Sequence, residues 1–175
     1  MKVALDNTFL TLILRPESDS PVHPDTKLPV THIRHRIAAL IDHWDAQDAQ
    51  IIIPAPALSE VLTAMSNPQA VVSGLEGKSV FEIASFCERC AVELALINQA
   101  HHAAGKKRGP GEGDWQKVKL DKQIVAIAKA NGAKIMYTDD SNQTAFAKEA
   151  GLQVAHTWEL PLPHPYNQGD FLDGT

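Results

Sequence analysis

The apolar positions of this chain follow two alternating rhythms. Short unbroken runs, Val3-Ala4-Leu5 and Ile51-Ile52-Ile53 among them, are separated by longer segments in which apolar residues recur every three or four positions. Unbroken runs of this length read as strands buried on both faces, and the wider spacing reads as amphipathic helix. The opening KVALDN is thus a strand that delivers Asp6 at its carboxyl end. A loop holding Pro21, Pro24 and Pro29 leads into Ile33, Ile37, Leu40, Ile41 and Trp44, which mark a helix of about four turns. Pro54 and Pro56 stop the second strand and suit the start of a helix, which places Glu60 in its first turn.

Ser79 to Ile83 reads as a third strand and Ser85 to Ala104 as a long Ala-rich helix. LDKQIVAIAKANGAK reads as a helix with Asp121 near its start and Asn131-Gly132 at its end. Lys134 to Thr138 is the next strand, closed by Asp139 and Asp140. A short helix from Asn142 to Ala150 and a weaker strand from Val154 to Thr157 follow. No internal repeat occurs, and the Pro and Gly clusters near residues 16 to 29 and 109 to 113 read as loops. The pattern predicts an α/β fold: one domain over residues 1–158, with a mainly parallel sheet of about five strands and helices on both faces. Residues 159–175 form a C-terminal tail, with two readings open: a frayed end, or a segment that covers a neighbouring subunit or a partner.

Composition narrows the class. At 175 residues, 44% apolar and 21% charged, the chain can bury a core without disulfides or a structural metal. No apolar run is long enough for a membrane span, and no signal peptide is indicated. Only two cysteines are present, Cys87 and Cys90, so a cytoplasmic, reducing setting is expected. A net charge of −5 argues against a surface coated in positive potential. Six of the sixteen Lys and Arg residues nevertheless fall between positions 106 and 122. Lys106, Lys107, Arg108, Lys117 and Lys119, beside Trp115 and Gly109-Pro110-Gly111, form a basic stretch suited to gripping an RNA backbone; an ordinary solvated loop is the equal alternative.

The chemistry lies in the acids. Asp6 and Asp140 follow apolar strands and Glu60 sits shortly after another, so parallel strands bring all three to one edge, where Asp121 can join them. Carboxylates held close together raise one another's pKa unless cations neutralise them, so such a cluster predicts bound metal. Ligation by oxygen alone suits Mg²⁺ or Mn²⁺. Taken singly, Asp121 and Asp140 also read as helix caps, and Asp6 as a turn residue.

In their order and spacing, VALDN with Asp6, PAPALSEVL with Glu60, LDKQIVAIA with Asp121, and IMYTDDSN with Thr138, Asp140 and Asn142 resemble the PIN-domain nucleases. The resemblance runs from residue 2 to about residue 158. It implies a parallel sheet of about five strands and endoribonuclease activity with Mg²⁺ or Mn²⁺; many bacterial members are VapC-type toxins of toxin-antitoxin pairs. Asp6 and Asp140 would be the main metal ligands, with Glu60 and Asp121 completing the shell or holding metal-bound water. Thr138 and Asn142 would steady the site, with Asp139 a tolerant neighbour in a supporting place. Extra sequence around residues 16 to 29, 67 to 80 and 105 to 119 makes the chain longer than a typical toxin.

Other constellations are weaker. Cys87 and Cys90 with His101 and His102 have the residue types of a zinc site, but the thiols fall on a helical stretch, so half-buried reduced thiols are expected. HIRHR at residues 32 to 36 reads as a solvated helix face or a phosphate contact. The leading reading is a metal-dependent endoribonuclease acting on RNA, a homodimer, with an antitoxin partner if it is a toxin. The alternatives are a non-cleaving PIN-like scaffold for RNA or protein, and a DNA nuclease or phosphatase using the same acids.

Overall fold

A computed structural model describes residues 1–105 and 109–163. Its five strands are β1 (Lys2–Leu5), β2 (Gln50–Pro54), β3 (Phe81–Ala84), β4 (Ile135–Tyr137) and β5 (Gln153–Ala155). Its helices are α1 (Asn7–Leu14), α2 (Ile33–Ala46), α3 (Ala55–Leu62), α4 (Pro68–Glu76), α5 (Glu88–Ala103), α6 (Trp115–Ala130) and α7 (Ser141–Glu149), with a 3-10 turn at Thr157–Glu159. All strand pairings are parallel, in the order β3-β2-β1-β4-β5. The expected single parallel sheet covered on both faces is what the chain forms.

Successive residues of a strand face opposite ways, and the core divides accordingly. Val3, Leu5, Ile51, Ile53 and Tyr137 face a cluster with Phe9, Leu10, Trp44, Leu58 and Val61, drawn from α1, α2 and α3. Ala4, Ile52 and Met136 face the other side, against Ile124, Val125 and Ile127 of α6 and Phe146 of α7. Burial on both faces is why the strands are continuous apolar runs instead of alternating ones. Among the described residues no helix is long and apolar enough to cross a membrane.

Several element boundaries differ from expectation, each for a local reason. Helix α1 was hidden because NTFLTLIL is short, strongly apolar and separated from the apolar strand by Asp6 alone, so it reads as part of the same apolar run; Asp6 caps it through the Phe9 N–H. Helix α4 starts at Pro68, with Asn67 accepting from the Ala70 N–H, a cap-plus-proline signal the periodicity did not register. Helix α6 begins at Trp115, capped by Asp114, so Asp121 lies in its interior and Lys117 and Lys119 stand on helix instead of loop. Glu60 is the sixth residue of α3 and belongs to its second turn. Cys87 is the N-cap of α5, and only Cys90 lies inside it.

Candidate metal centre

From β1 the chain steps outward to β2 and β3, then returns to the other side of β1 as β4. Connections therefore leave β1 and β4 in opposite directions, which opens a crevice beyond their carboxyl ends, the usual ligand position in such sheets. Asp6 directly follows β1, and Asp140 comes three residues after β4. Each also caps the helix that begins there. Asp6 Oδ1 accepts the Phe9 N–H at 2.9 Å. Asp140 Oδ1 accepts the N–H groups of Asn142 and Gln143 at 2.8 and 3.0 Å. One oxygen of each carboxylate is left over. Asp6 Oδ2 is buried and makes no hydrogen bond of normal geometry, although the Thr138 hydroxyl and the Asp139 N–H both act on this carboxylate, and Asp140 Oδ2 accepts from Lys117 Nζ at 2.8 Å.

The electrostatics follow from this burial. Asp6 is fully buried and its pKa is pushed up to about 7, chiefly by desolvation, with Asp139 adding a like charge and Thr138 and the Phe9 N–H pulling the other way. Asp121, also buried, is raised by desolvation and then by Asp140, although Asn142 Nδ2 and Gln143 Nε2 each donate to it at 3.2 Å. Glu60 is raised by desolvation and next by Asp121, and Asn7 Nδ2 donates to its Oε2 at 2.6 Å. Glu60, Asp121 and Asp140 thus feel one another's charge, while the acid nearest Asp6 in effect is Asp139.

Lys117 sits in this field. Hydrogen bonding to Asp140 raises its pKa, helped by the charges of Asp140, Asp121 and Glu60. Its ammonium group stands in for a cation among the carboxylates. No three His, Cys, Asp or Glu side chains among the described residues are grouped so as to hold one metal ion. The donor set still fits a hard divalent cation in chemistry: it is all oxygen, and burial makes Asp6, Glu60 and Asp121 costly to hold as bare carboxylates. The Lys117–Asp140 pair is half exposed, with side-chain exposures of 57% and 21%. Such pairs contribute about 0–1 kcal/mol, too little to keep a divalent ion out.

The remaining predicted residues are distributed as follows. The Thr138 hydroxyl accepts the Asp140 N–H at 3.0 Å, and Asn142 links Asp121 to Glu112 on both its backbone N–H and C=O. Asp139 turns away from Asp140 and accepts from the Thr157 N–H and hydroxyl at 2.8 and 2.6 Å. Lys119 is not with the acids: its Nζ lies 5.2 Å above the Trp115 ring, in a cavity between α5 and α6. Trp115 itself packs on the core. Lys106, Lys107 and Arg108 lie outside the described residues, as does the tail beyond Pro163; before that point Leu160 is buried and its carbonyl accepts from Arg36.

A cavity of about 560 Å³ opens beside Asp139 and Asp140, walled by Asn7, Thr8, Thr11, Asp19 and Trp158 among others. A smaller one, about 90 Å³, adjoins Glu60 and Arg15 and shares Asn7 and Thr11 with the first. Asn7 and Gln143, which orient Glu60 and Asp121, were not singled out by sequence reasoning. Asn7 stood in plain view next to Asp6, and Gln143 carries no sequence signal beyond its place one turn after Asp140.

No family model and no curated protein matches the sequence. Solved structures do. One is a chain in the crystal structure of VapBC2 from Rickettsia felis bound to a DNA fragment from their promoter. It is 16% identical with a TM-score of 0.55, over 89% of this chain and 98% of that one. Another is a chain of DNA-bound VapBC from Salmonella typhimurium, 17% identical with a TM-score of 0.53, over 90% and 98% of the two chains. At this identity the likeness speaks for the fold, and it agrees with the residue pattern: the chain has the VapC-like PIN fold that its sequence resembles.

Proposed function

We propose that this chain is a metal-dependent endoribonuclease of the VapC type. The observation that supports it most is the placement of Asp6 and Asp140 after β1 and β4, where the strand order reverses, with Asp6 Oδ2 buried and lacking a hydrogen bond of normal geometry. Asp6 and Asp140 would hold Mg²⁺ or Mn²⁺, with Glu60 and Asp121 completing the shell. Bound there, the cation supplies an activated water and stabilises charge on the scissile phosphate. The protein's own groups orient the acids: Asn7 fixes Glu60, Asn142 and Gln143 fix Asp121, and the two caps fix Asp6 and Asp140. The cavity beside Asp140 gives a strand of RNA room to approach, and Lys106, Lys107 and Arg108 would meet its phosphates. By analogy with the VapBC complexes, an antitoxin protein is the expected partner.

A second reading, a non-cleaving scaffold, is favoured by the seat Lys117 takes on Asp140. Incubating the purified chain with structured RNA, single-stranded DNA and duplex DNA separates the two. Cleavage of RNA that needs Mn²⁺ and stops with chelator supports the nuclease. Binding of RNA without cleavage under every metal condition supports the scaffold, and preferential cleavage of DNA moves the substrate class.

A further inference from the structure

The Cys87-Cys90 pair plays no part in that reading. Strand β3 ends at Ala84, and Ser85-Phe86 turn the chain into α5, whose N-cap is Cys87 in extended backbone. Cys87 is exposed, Cys90 one turn later is buried, and both thiols are free. Their Sγ atoms lie 3.5 Å apart, and Cys90 Sγ also donates to the Ser85 carbonyl at 3.7 Å. The two sulfurs are in contrasting surroundings. The Cys90 N–H and then the Cys90 thiol hold the Cys87 thiol below its ordinary pKa, and burial pushes Cys90 above it.

Zinc does not fit this place. His101 is eleven residues beyond Cys90 on the same helix, about 16 Å along its axis, and its Nε2 is engaged with Glu149 at 2.6 Å. A single ion cannot span that distance. What the geometry does provide is an accessible thiol at a helix N-terminus and a sheltered thiol within reach of it, following a strand and opening a helix.

We propose that Cys87 and Cys90 form a redox-active dithiol that closes reversibly to a disulfide by exchange with a small disulfide of the oxidised-glutathione class. The Cys87 thiolate attacks one sulfur of the small disulfide, whose S–S bond breaks and releases one thiolate, which takes a proton from water. The Cys90 thiol gives up its proton to solvent and its sulfur attacks Cys87 Sγ, displacing the second small thiolate, which is protonated in turn. Two protein thiols are oxidised to one disulfide, and one small disulfide is reduced to two thiols. Closing the gap to the ~2 Å of a disulfide takes a small rotation of the exposed Cys87 side chain.

The full chain is incubated with oxidised glutathione and followed by intact mass and by counting free thiols. The unsubstituted chain is expected to lose both thiols, keep no glutathione, and recover them with dithiothreitol. Cys90→Ser should trap one glutathione on Cys87, and Cys87→Ser should leave Cys90 unmodified in the folded chain. Glutathione retained on the unsubstituted chain, both thiols left unreacted, or equal labelling of the two variants overturns the proposal. The unsubstituted chain carries the decisive readout, so a variant that fails to fold leaves the test intact.

Discussion

Lys117 Nζ lies 2.8 Å from Asp140 Oδ2, joining α6 to the helix that Asp140 caps. Lys117 and Asp121 are four residues apart on α6, so one face of that helix presents both a cation and an acid to the carboxyl edge of the sheet. The ammonium group therefore competes with any divalent ion for the same oxygen. Lys117→Met should tighten Mn²⁺ binding by about fivefold or less, since an exposed pair is worth at most about 1 kcal/mol. Titration calorimetry reads this directly. Weaker binding in the variant would mean that Lys117 supports the site instead of occupying it.

Asp6→Asn keeps a cap-competent side chain and removes a buried charge. Cleavage should be lost and metal affinity should fall. The metal-free variant should melt at the same temperature or higher, by roughly 2–4 °C for each kcal/mol of relieved desolvation. Full activity in this variant would remove Asp6 from the site.

The acids make the metal-free protein sensitive to pH in a definite sense. Asp6, near 7, and Glu60, Asp121 and Asp139 all bind protons more tightly in the folded chain than in the unfolded one. Where the folded state holds more protons, stability falls as pH rises. For Asp6 the loss begins above the ordinary aspartate value of 3.8 and is complete above about 7. In chelator, the melting temperature should therefore decline between about pH 4 and about pH 7, and saturating Mn²⁺ should flatten the decline, because metal binds the deprotonated carboxylates. A rising or level curve in chelator would show that these carboxyls are not desolvated as described.

Asp139 and Asp140 are neighbours with separate tasks. Asp139 holds the 3-10 turn through two bonds from Thr157, so Asp139→Ala should cost about 1–3 kcal/mol in urea unfolding while activity per folded molecule persists. Asp140→Asn should abolish cleavage with a smaller loss of stability, since an Asn still caps α7. The reverse pattern, with activity lost at Asp139 and kept at Asp140, would move the ligand one residue back.

How much of this was legible beforehand depended on the kind of information needed. The strands Lys2–Leu5 and Gln50–Pro54 and the helix Ile33–Ala46 were readable because burial on two faces or one writes a local pattern of apolar residues. The same pattern placed Asp6 and Asp140 after strands. The PIN-like motifs, whose fold the chain shares, also came from order and spacing in the chain. Helix α1 was not legible, because a short, strongly apolar segment directly after a strand cannot be told from strand by its apolar pattern alone. Only the folded chain decided which side of β1 receives β4, and hence that the strand ends before Asp6 and Asp140 are neighbours, since strand order is set by packing between distant segments. Likewise, Lys117 read as part of an RNA-gripping loop. Its charge was visible in the sequence, but its partner is set by where α6 lies against α7, and that contact joins residues 23 apart.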